Sequence, residues 1–265
     1  MMPNLYLSKI GRIFYGVSIA VMGFLTIYYR DFPYMLIPPK HSWIPSIVVI
    51  ISGALLVLSG ACIVFEKKIK PTSLLLGSVL LLIFCFYFIP YQLIASPNVA
   101  QFGDWENAAK ELTLAGGAIV IAGTFSEMSK HPLFKFLEKL IPFGPILFSL
   151  TIISYGIDHF LYAKGAADYV PSWIPFHLLW VYLGGIGLLG SGIAIIIKVI
   201  PKLAATLLGS MIFIWFAILH IPRIIVSPSA YLGSEIASAC LALAYCGIAF
   251  VIAAQIKNSR NLNSQ

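Results

Sequence analysis

The sequence predicts an all-α integral membrane protein with eight transmembrane helices, arranged as two parallel four-helix repeats. Three observations carry this. The chain of 265 residues is 60% hydrophobic and only 10% charged, with a mean hydropathy of +0.93. That is more apolar surface than a soluble core of this length can bury. Apolar runs of about 20 residues, enough to span at 1.5 Å rise each, recur along it. Finally, the tetrapeptide Ser42-Trp43-Ile44-Pro45 returns as Ser172-Trp173-Ile174-Pro175.

The apolar runs fall near residues 10–29, 45–65, 72–94 and 108–126, then 145–163, 175–197, 202–223 and 235–256. The first follows Lys9 and Arg12, but no small-residue cleavage site comes before Tyr28-Tyr29-Arg30-Asp31, so it is expected to be a retained span. Arg12 at its start reads as an anchor that snorkels to lipid phosphate. Pro45 suits a helix start, where a missing N–H costs nothing. Pro90 and Pro222 lie near the ends of the third helix of each half. Each is expected to kink its helix by freeing one carbonyl, that of Phe86 or Ile218. Asp104 is placed to cap the fourth helix, with Glu106 and Lys110 as an i, i+4 pair.

Aligning the two Pro residues of the repeated tetrapeptide sets Gly60 against Gly190. A gap of two then brings Ile89-Pro90 onto Ile221-Pro222, and further on Ser96-Pro97 meets Ser227-Pro228. Gly11 and Gly23 meet Gly144 and Gly156, and Gly117 meets Gly247. The order of so many Gly and Pro positions indicates one unit of about 130 residues written twice. The organisation is a first repeat over 1–126, an amphipathic linker over 127–143, a second repeat over 144–256 and a polar tail over 257–265. The linker carries Lys130, Lys135 and Lys139 among Leu133, Phe134, Phe136 and Leu137, and should lie on the membrane face.

Twelve of the 17 Lys and Arg residues, but only three of the ten acids, fall in loops on one side, giving +9 there and −2 on the other. By the positive-inside rule the basic side is cytoplasmic, and both termini with it. An even helix count per repeat gives both halves one orientation. The expected location is the cell (inner) membrane, multi-pass. The net charge of +7 therefore reports topology and a lipid bilayer partner, with no support for nucleic acid.

Cys62, Cys85, Cys240 and Cys246 all lie within apolar runs without a C-x-x-C pair, and read as small buried hydrophobes. No phosphate loop, haem attachment motif or catalytic serine motif is present. Polar side chains instead collect in the outer half: His41, His159, His177 and His220 with Asp158, Lys110, Glu111, Arg223 and Glu235. Ionisable groups within spans are costly and normally line a site, pair, or face the bundle interior. A pocket contacted by His159, His177, His220, Arg223, Lys110 and Glu111, walled by Trp173 and Trp180, is one expectation. The other is that each histidine bonds a neighbouring carbonyl. No spacing presets metal ligands, so no metal is assigned.

Several of these motifs point to one family. Trp105-x-Asn107-x-x-Lys110 leading into Gly116-Gly117, the Gly11-Arg12 start, Gly156-x-x-His159-Phe160, the Val170 to Pro175 turn and His220-x-Pro222-Arg223 together resemble the DoxX-like family of small four-helix membrane proteins. The resemblance covers both halves and implies a tandem fusion, a helical bundle and a link to oxidoreductases. The halves depart from the pattern in complementary ways: the first keeps Lys110 but has Thr26 where the second has His159, and Tyr91 where it has Arg223. A composite site built from both halves is the expectation.

Three functional classes follow. The first is a redox-associated subunit that binds a quinone-like or other small amphipathic ligand in an outward-facing pocket, alongside a redox enzyme subunit. The second is a non-enzymatic assembly or chaperone partner, and the third a small-solute transporter. No self-sufficient catalytic motif is evident.

Overall fold

The computed structural model describes residues 3–38, 43–97, 99–127, 129–227 and 233–256. Lys40, His41 and Ser42 of the first tetrapeptide copy, Pro228 and the tail over 257–265 lie outside them. Among the described residues every regular element is a helix. The long ones are α1 (Pro3–Tyr29), α2 (Ser46–Val64), α3 (Ile69–Ile83), α4 (Glu106–Ala122), α6 (Gly144–Leu161), α8 (His177–Ile196), α9 (Pro201–Trp215) and α11 (Ser234–Gln255). Shorter ones are α5 (Pro132–Leu137), α7 (Ala163–Ala167) and α10 (Ile221–Val226).

Each expected apolar run holds a helix. Seven segments are long and apolar enough to cross a membrane, and their outward faces are rich in exposed Leu, Ile, Val and Phe. The protein is thus an all-α, multi-pass membrane protein. The run expected over 108–126 differs from the rest: α4 has 17 residues and is buried along most of its length. It forms the centre of the molecule, between α3, α6 and α11. It also starts from Trp105 after a short 3-10 turn, with no side-chain capping bond, rather than on Asp104.

The prolines widen their helices. Ahead of Pro90, residues Phe84–Phe88 form a π turn in which the Ile89 N–H reaches back five residues to the Phe84 carbonyl. Ahead of Pro222, Phe216–His220 do the same, with Ile221 N–H bonding Phe216. A proline cannot donate and its ring crowds the carbonyl four residues back. One wider turn absorbs both problems without breaking the helix.

The connections into the third helices also recur. Glu66 and Lys68 have φ of 58° and 46°, and Lys198 and Ile200 have φ of 59° and 42°. In each turn an amide bonds five residues back, Lys67 to Cys62 at 2.8 Å and Val199 to Ala194 at 3.0 Å. No glycine relieves these left-handed residues, and the strain is held by the helices on either side.

Close helix contacts recur in the same way. A Cβ on Gly11 would lie 2.4 Å from the Gly247 carbonyl, so α1 and α11 touch backbone to backbone, as α6 and α4 do at Gly144 and Gly116. Gly60 packs on Gly16, and its counterpart by contact is Gly192 on Ser149. Gly190, the partner expected from alignment, has open space around it. The expected register in the second helix is therefore two residues out.

Helix pairing crosses the halves. α1 packs on α2 and on α11, α4 on α3 and on α6, α6 on α8, and α9 on α11. α1, α4, α6 and α11 each pack both on a neighbour close in sequence and on a helix across the middle of the chain, giving one interlocked body. One core runs through it, with Tyr15, Ile19, Met22, Leu114, Phe148, Ile152 and Ile248 fully buried.

Ion pairs mark the basic end. Arg12, expected to snorkel outward, is only 7% exposed. It bonds Glu66 at 3.1 Å and lies over the Phe125 ring at 5.4 Å. It is a buried clamp because Glu66 is delivered to it by the left-handed turn. Lys70 pairs with Glu138 at 2.7 Å and also bonds the Glu127 carbonyl. Leu137 joins Leu74 and Ala122 in a small core, while Leu133 and Phe136 remain exposed. The linker is thus docked at both charge and apolar contacts.

Candidate functional site

At the end opposite the basic one, polar side chains form two groups. The first surrounds the start of α4. Lys110 Nζ donates to Asn107 Oδ1 at 3.0 Å, lies 3.7 Å from Glu106 and sits over the Tyr34 ring at 5.4 Å. Tyr34 comes from the chain after α1, where Phe32, Met35, Leu36 and Ile37 fold back into the core and cover this end. Asp158 on α6 has Glu106 and Lys110 as its charged neighbours, and Tyr155 has Tyr245, Glu106 and Tyr34. The Tyr155 and Tyr245 rings are 6.0 Å apart. Glu111, one turn deeper, has no exposure, and neither of its carboxylate oxygens has a partner.

The second group lies where α10 meets α11. Arg223 grips Glu235 with two nitrogens, at 2.7 and 2.5 Å, and stacks on Tyr169 at 4.6 Å. Gly165, Asp168, Tyr169 and Arg223 line an open cleft of about 420 Å³. His220 stands one turn before Arg223 at the end of the π segment, in the charge field of Glu235 and Arg223. Its Nδ1 is buried without a partner.

Of the residues expected to build one pocket, Lys110 and Glu111 fall in the first group, and His220 and Arg223 in the second. His159 belongs to neither. Its Nδ1–H donates to the Tyr155 carbonyl at 2.7 Å, its ring faces Gly184 of α8 and its Cβ lies against Gly185. Thr26, its counterpart in the first half, makes the same i−4 bond to Met22 at 2.8 Å. The apparent difference between the halves is therefore one local role filled by two residue types. His177 opens α8, half-buried. Among the described residues none of these three histidines bonds to another. Trp173 is 70% exposed, so it belongs to the outer surface rather than a pocket wall. Trp180 donates to the Pro175 carbonyl and meets Trp215 edge-on at 6.5 Å.

Tyr34, Tyr169 and the pairing of Glu235 with Arg223 were not singled out from sequence. Arg223 and Glu235 were both placed among the outer-half polar residues there, but not as a pair. Among the described residues, no three His, Cys, Asp or Glu side chains come together in a way that could hold a metal ion. Compared with known proteins, the chain matches no family model, no curated sequence and no solved structure.

Proposed function

We propose that this is an eight-span protein of two parallel, DoxX-like four-helix repeats, with α4 as the fourth span and the basic end in the cytoplasm. The recurring π turns, left-handed turns and glycine contacts support the repeat. The excess of Lys and Arg at one end, twelve of the 17, supports the orientation.

For function, the reading is a redox-associated inner-membrane subunit that binds a quinone-like or other small amphipathic ligand at the outer cleft. The observation that carries it is the buried, unpartnered Nδ1 of His220, one turn before Arg223, which lines the cleft with Tyr169, Asp168 and Gly165. A quinone head offers carbonyl acceptors on a flat ring, which suits an imidazole donor and an aromatic neighbour. A buried donor left without a partner costs about 1–3 kcal/mol, which a ligand carbonyl would recover. Lys110 and Glu111 belong to a different contact group and are left out of this ligand shell.

The test is binding of a short-tailed, water-soluble quinone to the detergent-solubilised protein, followed by Trp quenching. His220→Phe, which keeps the ring and removes both nitrogens, should abolish saturable quenching. Thr26→Val should not. If His220→Phe binds as the parent does, the reading is refuted. The assembly-partner reading then leads, favoured by the fact that Arg223 is already taken up by Glu235 and Tyr169.

A further inference from the structure

Glu111 poses a separate question, independent of the quinone reading. It is fully buried on the central helix, and its two oxygens have no partner. The groups around it do not supply a counter-charge. On α4, Lys110 and Glu106 engage each other, and Asn107, on the same helix face as Glu111, accepts from Lys110. From α1, Tyr15 is its ionisable neighbour, but that hydroxyl already donates to the Leu114 carbonyl at 2.6 Å. α6 brings Asp158 and Tyr155 to Glu106, and α11 brings Tyr245 to Tyr155 and Thr113. The chain after α1 brings Tyr34 to Lys110.

A bare carboxylate in such surroundings is among the least tolerable groups a protein can bury. Two occupants remove that cost, a metal ion or a proton. The described residues offer no ligand cluster for the first. We propose that Glu111 is a proton-binding site in the membrane interior, loaded from the end opposite the basic one by way of Asn107 and Lys110. The net step carries a proton from hydronium at that surface, relayed inward, to a Glu111 carboxylate oxygen, and the reverse step returns it to water there. One O–H bond forms and one breaks, and no electron moves. The arrangement fits a route because Glu106, at the outer start of α4, is part-exposed, while Asn107, which accepts from Lys110, precedes Glu111 by one turn on the same helix face. Intramembrane carboxyls placed in this way are the usual elements of proton relays.

Infrared difference spectroscopy on the full-length protein in lipid reads the proton directly. At neutral pH the parent should show a carboxylic acid C=O band that is lost in Glu111→Gln. That variant should fold and keep its thermal stability, because an amide is the nearest neutral replacement. Transfer to D₂O should shift the band, and Asn107→Leu should slow that shift several-fold. Absence of the band in the parent, or its persistence in Glu111→Gln, overturns the site. So does failure of Glu111→Gln to fold, since that would mean an ionised carboxylate is required. An exchange rate unchanged in Asn107→Leu overturns the route.

Discussion

Replacing Gly11 by Ala tests whether the two halves are interlocked through backbone contact. The added Cβ would sit 2.4 Å from the Gly247 carbonyl oxygen, 2.8 Å from Val251 Cγ2 and 3.1 Å from Val251 N. Two of these are backbone atoms on a helix and cannot swing aside. Reaching ordinary contact at 3.4 Å means α1 and α11 must part by about 1 Å, and in lipid such packing is the main force holding helices together. Overpacking of this kind costs about 1–3 kcal/mol, against a helix-propensity gain of up to about 1 kcal/mol for Ala over Gly. Gly190→Ala is the control: nothing lies within 4 Å of its added Cβ, so only the gain should register. Unfolding followed by Trp fluorescence in mixed micelles should show Gly11→Ala destabilised and Gly190→Ala unchanged or slightly more stable. Equal stability of the two variants would refute close packing across the halves.

Arg12→Ala should cost about 1–3 kcal/mol, because it removes a buried charge-assisted bond together with the contact on Phe125. Glu66→Gln should cost less than about 1 kcal/mol, since that carboxylate is 46% exposed; chemical unfolding of both variants checks the order. Lys70→Met should free the segment around Glu138, read as faster proteolysis between residues 127 and 143, and Lys70→Met with Glu138→Leu should restore much of the protection. Topology reporters at Glu66 and Asp168 should give opposite signals, cytoplasmic for the first; the same signal from both would refute the proposed orientation.

What the sequence alone determined is what depends on composition and local chemistry. Apolar runs of spanning length mark the helices wherever they pack, because hydrocarbon demands satisfied backbones. Pro90 and Pro222 announce disturbed helices, because a missing donor acts on its own turn. Glu106 and Lys110 meet because they are four residues apart on one helix.

Only the tertiary structure decided which helices touch and which polar groups gain partners. Pairing α1 with α11 joins Gly11 to Gly247 near opposite ends of the chain, and α4 pairs with α6 across the linker, and the alignment of one half on the other carries no information about either. Arg12 looks like an interfacial anchor until a left-handed turn delivers Glu66 to it. His159 looks distinctive beside Thr26 until both are seen bonding the carbonyl one turn back. Glu111 and His220 look alike in sequence, as ionisable residues in apolar runs. Glu111 is wholly enclosed in the central helix, whereas His220 is only part-buried one turn from a cleft-lining arginine, and that difference is set by the neighbours each helix finds.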